Sequence, residues 1–172
     1  MKRYDKKIKI ELLSWIFMLT MLSGALNAYA IRVLGNPATH HTGNSTLLAI
    51  SLCENPSLAK RLFVLLLSFF FGAALSGIIF HDVSLGTKKR YGLLLVFAGL
   101  FLALADNFFS NSLKLYSISF WIGMQNAMFI SYDGILVRTS HMTGYLTDAG
   151  LALGAYLRGI KTGAFRIKFY LF

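Results

Sequence analysis

Residues 24–31 read Gly-Ala-Leu-Asn-Ala-Tyr-Ala-Ile and residues 123–130 read Gly-Met-Gln-Asn-Ala-Met-Phe-Ile. Laid over one another, they agree at Gly24/Gly123, Asn27/Asn126, Ala28/Ala127 and Ile31/Ile130. Offsets of three, four and seven residues follow one face of an α-helix, so each copy predicts a stripe of small residues with an amide set into it. The agreement resumes further on: Thr39-His40-His41-Thr42-Gly43 lies over Ser140-His141-Met142-Thr143-Gly144, and Thr46 over Thr147. Two stretches built alike predict an internal repeat.

The rest of the chain predicts a membrane as its solvent. Of 172 residues 56% are hydrophobic and 14% charged, and the mean hydropathy is +0.60. Soluble domains carry roughly 45 to 50% apolar residues, and here the excess falls in long runs that lipid would have to cover. Leu12–Leu34, Leu62–Phe80, Tyr91–Ala105 and a stretch from Leu113 to about Met128 are the crossing segments, with Tyr116, Trp121 and Tyr132 available at interfaces. Leu47–Cys53 is too short to span, Tyr145–Leu157 is interrupted by Asp148 and two glycines, and Phe165–Phe172 resembles the start of another run. The fold class expected is an all-α, polytopic helical membrane protein with an internal repeat and two short helices that cross or re-enter. Its parts are a basic N-terminus (1–11), a first repeat (12–110) and an incomplete second one (111–172).

The net charge of +10 sits at the edges of the apolar runs, where cations anchor in headgroups, and no basic-aromatic motif points to nucleic acid. With both short segments crossing, basic residues divide 12 inside against 5 outside; with both re-entrant, 13 against 4. The second count favours a cytoplasmic N-terminus and repeats of opposite orientation, an arrangement common in secondary transporters. The lysine-rich opening followed by Ala28-Tyr29-Ala30 also resembles a cleavable signal, but the same pattern recurring inside the chain argues against removal. Cys53 is the only cysteine, which excludes an internal disulfide and a thiol metal cluster.

The candidate site follows from the repeat. Asn27, Gln125 and Asn126 are amides in apolar helices, where an unpaired polar group is costly. His40, Thr42, Gly43 and Asn44, with His141, Thr143 and Gly144, open the two short helices, whose first backbone N–H groups need partners or a ligand. Threonine caps such an end, and its positive dipole suits a small polar or anionic solute. The histidines lack metal-site spacing, Asp148 is a weak proton or cation candidate, and the sequence implies neither a cofactor nor an enzyme motif. The partners expected are the bilayer, an unidentified solute and further copies of the chain.

His40-His41-Thr42-Gly43-Asn44, Gly123-Met-Gln-Asn-Ala127 and Thr139–Gly144 carry a further signal. Residues 24–52 and 123–157 resemble the two signature regions of the YoaK-like bacterial membrane family, a domain of unknown function (1275). The resemblance implies a polytopic inner-membrane protein with no assigned substrate or reaction. The family often has an acidic residue where Asn27 stands, and its members usually continue through further helices, so a truncated, inactive member is also an expectation. Two functional classes emerge: a transporter-like permease, and a non-transporting scaffold or partner subunit.

Overall fold

The computed structural model describes residues 6–80, 89–128, 130–132 and 135–160. Among them run six helices: α1 (Lys6–Leu34), α2 (His41–Glu54), α3 (Pro56–Ile79), α4 (Lys89–Phe108), α5 (Asn111–Ala127) and α6 (Met142–Leu157). A hairpin of β1 (Ile130–Tyr132) and β2 (Ile135–Val137) stands before α6, with Ile130 opposite Val137 and Tyr132 opposite Ile135. The described residues are thus helical apart from one small antiparallel pair. Three helical stretches, Ile10–Leu34, Pro56–Ile79 and Tyr91–Phe108, are long and apolar enough to cross a membrane. Phe17, Phe70, Ile78, Leu93 and Leu104 stand exposed on them, as lipid-facing side chains would. The chain divides into two compact units, Met1–Ser140 and His141–Phe172.

Local chemistry explains the helix ends. Gly35 adopts a φ of 77° immediately after α1, the left-handed position that glycine fills at a helix C-terminus. The Asn55 side chain accepts from Leu58 N at 3.1 Å, with Pro56 in the first helical position of α3. Ser110 caps α5. Phe165–Phe172 lies outside the described residues.

Two expectations are corrected and one is refined. The segment from Leu113 to about Met128 is α5, with 17 residues, buried at Leu115, Ile118, Ser119 and from Ile122 to Asn126. It is an interior helix of the first unit, walled in chiefly by α3. Its partner surface also takes Trp121, whose ring lies 5.9 Å from both Phe97 and Phe101 on α4, so this tryptophan is packing material and no interfacial anchor. Finally, Ile130 lies in β1, so the helical face shared with Ile31 ends at Ala127.

The core of the first unit is formed by Ala30 and Leu34 of α1, Leu62 and Leu65 of α3, and Leu115, Ile118 and Ile122 of α5, with Ala38 beside them. Where α3 meets α5 each helix offers a glycine to the other's backbone. A Cβ on Gly72 would lie 2.0 Å from the Phe120 carbonyl oxygen, and one on Gly123 would lie 2.2 Å from that of Phe69. Backbone contact this close is how membrane helices gain attraction without a hydrophobic drive.

Contacts within this unit also fix the direction of its helices. Arg61 Nη2 donates to the Leu34 carbonyl, so the end of α1 and the start of α3 lie at one level. Asp106 near the end of α4 pairs with Lys114 near the start of α5 at 2.7 Å, and Tyr29 of α1 donates to Asp106 at 3.2 Å, adding both to the same end. The opposite end holds the Phe80–Tyr91 ring contact, 4.8 Å, between the end of α3 and the start of α4. The path of α2 follows. Its end runs straight into α3, whereas the His41 ring at its start lies 4.0 Å from Phe69, about 12 Å along α3 from Arg61 at 1.5 Å per residue. Helix α2 therefore begins beside the middle of α3 and returns to the end that α1 reached.

Cysteine labelling tests this path. Cys53 is exposed in the last turn of α2. In sealed vesicles an impermeant maleimide is expected to reach Cys53, and Asn111→Cys in a Cys53→Ser background, from one side, and Lys89→Cys from the other. Labelling of positions 53 and 111 from opposite sides would mean that α2 crosses.

Candidate functional site

Helix α1 carries a buried polar face in its apolar length. Ser23 and Asn27 are one turn apart and only 3% and 8% exposed. Asn27 Oδ1 accepts two backbone hydrogen bonds, from Ala38 N at 3.0 Å and Thr39 N at 3.1 Å. That draws the segment between α1 and α2 back down along α1, to about 10 Å below Leu34. The backbone donors that precede α2 are satisfied inside the apolar region, as they must be where no water reaches them.

The second signature makes a matching lock. Asn126 Oδ1 accepts from Ser140 N and from Thr139 Oγ1, each at 3.2 Å, and its Nδ2 donates to Ser140 Oγ. Gln125 Nε2 points at Leu19 O, Ser23 Oγ and Thr139 Oγ1 at 3.0, 2.8 and 2.8 Å. The Leu19 carbonyl fixes that orientation, because it can only accept. Asn27 anchors one break and Ser23, a turn away, grips the glutamine beside the amide that anchors the other. Asn27 and Gln125, one amide from each signature, therefore converge on α1 between Leu19 and Asn27, a span of about 12 Å.

Each break ends in the same local geometry. His40 precedes α2 at φ −87°, ψ 60°, and His141 precedes α6 at φ −92°, ψ 60°. Neither helix has a side-chain cap, and neither has an acidic residue in its first turn. Here the expected threonine cap is corrected: Thr42 and Thr143 lie inside their helices, where their carbonyls accept from Thr46 Oγ1 at 3.2 Å and Thr147 Oγ1 at 3.0 Å. The first-turn positions Thr42, Gly43, Thr143 and Gly144 are exposed, and nothing lies within 4 Å of a Cβ placed on Gly43. Asn44 is fully buried; its Nδ2 donates to Pro37 O at 2.9 Å while Oδ1 has no hydrogen-bond partner among the described residues.

The candidate residues fall in both units. Asn27, His40, Thr42, Gly43, Asn44, Gln125 and Asn126 belong to the first, and His141, Thr143, Gly144 and Asp148 to the second. His40, His141 and Asp148 are exposed. Thr139, which the sequence marks only as the start of the Thr139–Gly144 motif, and Ser23, which it does not mark, join the network. Ser23 was within reach of inspection, one turn before Asn27, but a serine in an apolar helix commonly bonds its own backbone and carries no signal of its own.

A family model described as "Protein of unknown function (DUF1275)" matches residues 15–172. No curated protein and no solved structure matches the chain.

Proposed function

The chain belongs to the DUF1275 family, and from the geometry of its two breaks we propose that it is a transporter-like permease for a small polar or anionic solute. The observation that carries this reading is the start of α2: a helix N-terminus with no side-chain cap, beside the middle of α3 and the buried Asn27 and Asn44. The first-turn backbone of α2 and its positive dipole end supply what a desolvated anion or carbonyl needs. The matching start of α6 is the second copy of this device. Under this reading the two halves are repeats of opposite orientation and the N-terminus is cytoplasmic in a bacterial inner membrane, which the basic residues favour. No catalytic step is assigned.

A scaffold is the second reading, and one observation favours it. Both Asn27 and Asn126 use their carbonyl oxygens fully inside the protein, so these amides shape the site and are not themselves acceptors for a solute.

Gly43→Leu separates the two readings, because it covers the first-turn amides of α2 from a position with open space around it. Full-length protein in proteoliposomes is expected to speed the efflux of at least one among chloride, nitrate, inorganic phosphate and glycine. Gly43→Leu is expected to cut that flux about tenfold, the loss of roughly one charge-assisted hydrogen bond, without lowering thermal stability in detergent. Flux equal to that of empty vesicles for every solute favours the scaffold.

A further inference from the structure

Outside that site, a cavity of about 290 Å³ opens between α1, α4 and α5, lined by Leu26, Tyr29, Leu102, Asp106, Lys114 and Ile118, with Ala103 and Ala105. Its lining is graded. On each of the three helices the polar liner lies nearer the membrane surface and the apolar liner about one turn deeper: Tyr29 above Leu26, Asp106 above Leu102, Lys114 above Ile118. Asp106 falls in the last turn of the crossing stretch Tyr91–Phe108, so the polar rim stands at headgroup level. Beside it, Leu104 and Phe108 present an exposed apolar surface. Both bonds that Asp106 receives, from Lys114 Nζ and Tyr29 Oη, end on Oδ1. Its side chain is 61% exposed and Oδ2 faces no partner among the described residues, while the Lys114 side chain, 17% exposed, ends in an ammonium with three hydrogens and one acceptor among the described residues.

We infer that this cavity is a binding site for a phospholipid whose headgroup carries a primary ammonium next to its phosphate. The ammonium meets Asp106 Oδ2, the phosphate meets Lys114 Nζ, and the first carbons of the glycerol and chains descend past Leu102 and Ile118. The protein's carboxylate–ammonium pair is the electrostatic complement of the lipid's ammonium–phosphate pair. At about 30 Å³ per water-sized group the cavity holds roughly ten non-hydrogen atoms, a headgroup and not a whole lipid. The gradient from ion pair to leucine and isoleucine favours a lipid over a free zwitterion, which would leave the lower walls uncovered.

Native mass spectrometry of the full chain in detergent tests the assignment. With equal dioleoyl phosphatidylethanolamine and phosphatidylcholine, the first is expected to be retained at least about tenfold better, since a trimethylated ammonium donates no hydrogen bond. Asp106→Asn keeps an oxygen acceptor for Lys114 and Tyr29, so it preserves the fold while lowering phosphatidylethanolamine retention about tenfold. Leu102→Trp fills the apolar half and gives the same loss with the ion pair intact. Equal retention of the two lipids overturns the proposal. So does undiminished binding in both variants, or displacement of the lipid by an equal concentration of free phosphoethanolamine.

Discussion

Gly123→Ala is expected to destabilise the protein by about 3 kcal/mol or more, while Gly24→Ala, the same change at the matching position of the other copy, is expected to cost nothing. The added Cβ at position 123 would lie 2.2 Å from the Phe69 oxygen and 3.0 Å from its carbon. Both are backbone atoms, so no rotamer change relieves the clash. Helices α3 and α5 would have to separate, and the paired contact of Gly72 with Phe120 would open with them. At Gly24 nothing lies within 4 Å, and alanine there gains helix propensity of up to about 1 kcal/mol. Thermal denaturation in detergent, followed by the monodisperse fraction remaining, measures both. Equal behaviour of the two alanines would show that α3 and α5 do not meet through their glycines.

The contrast between Gly24 and Gly123 also marks the limit of sequence reading. Identical motifs predicted identical faces, yet the value of a glycine in a helix depends on what crosses it, and residues 24–28 carry no information about α3. Signals that act within a few residues were legible. The end of α1 followed from Gly35, the start of α3 from Asn55-Pro56, and the apolar runs located the three crossing stretches. The short helices begin earlier than their apolar parts, because their first turns, His41–Thr46 and Met142–Gly144, are mostly polar or small residues that give no apolar signal. The hairpin before α6 also has a local signal: Asp133-Gly134 stands between Ile-Ser-Tyr and Ile-Leu-Val, a pattern that favours a two-residue hairpin turn.

The repeat pointed to Asn27 and Asn126, which the structure places in buried hydrogen-bond networks in a role other than the expected one. Asn27 and Asn126 were expected to line a polar centre with their amides; instead each binds the chain that follows it. A distance of 11 to 14 residues separates each amide from its acceptor or donor, too long for helical periodicity to reveal. What sequence did preserve is the phase: Thr39 and Ser140, aligned by the motif alone, both give their backbone N–H to the aligned asparagine.

That role makes the effect of changing Asn27 depend on which atom is kept. Asn27→Ala strips the acceptor from the N–H groups of Ala38 and Thr39, and each buried donor left unsatisfied costs about 1 to 3 kcal/mol, or about 2 to 6 kcal/mol together. Asn27→Asp keeps an oxygen at the position of Oδ1, and the two donors that face it stabilise a carboxylate as well as an amide. Aspartate is therefore expected to retain most of the wild-type stability. Thermal unfolding ranks the three proteins, and amide hydrogen exchange at Ala38 and Thr39 locates the change. The expected order is wild type, aspartate, then alanine, with fast exchange in alanine alone. If aspartate fell as far as alanine, or if Ala38 and Thr39 stayed protected without Asn27, the descent of the chain to the start of α2 would have another cause, and the permease reading would lose the element that places an open helix end inside the membrane.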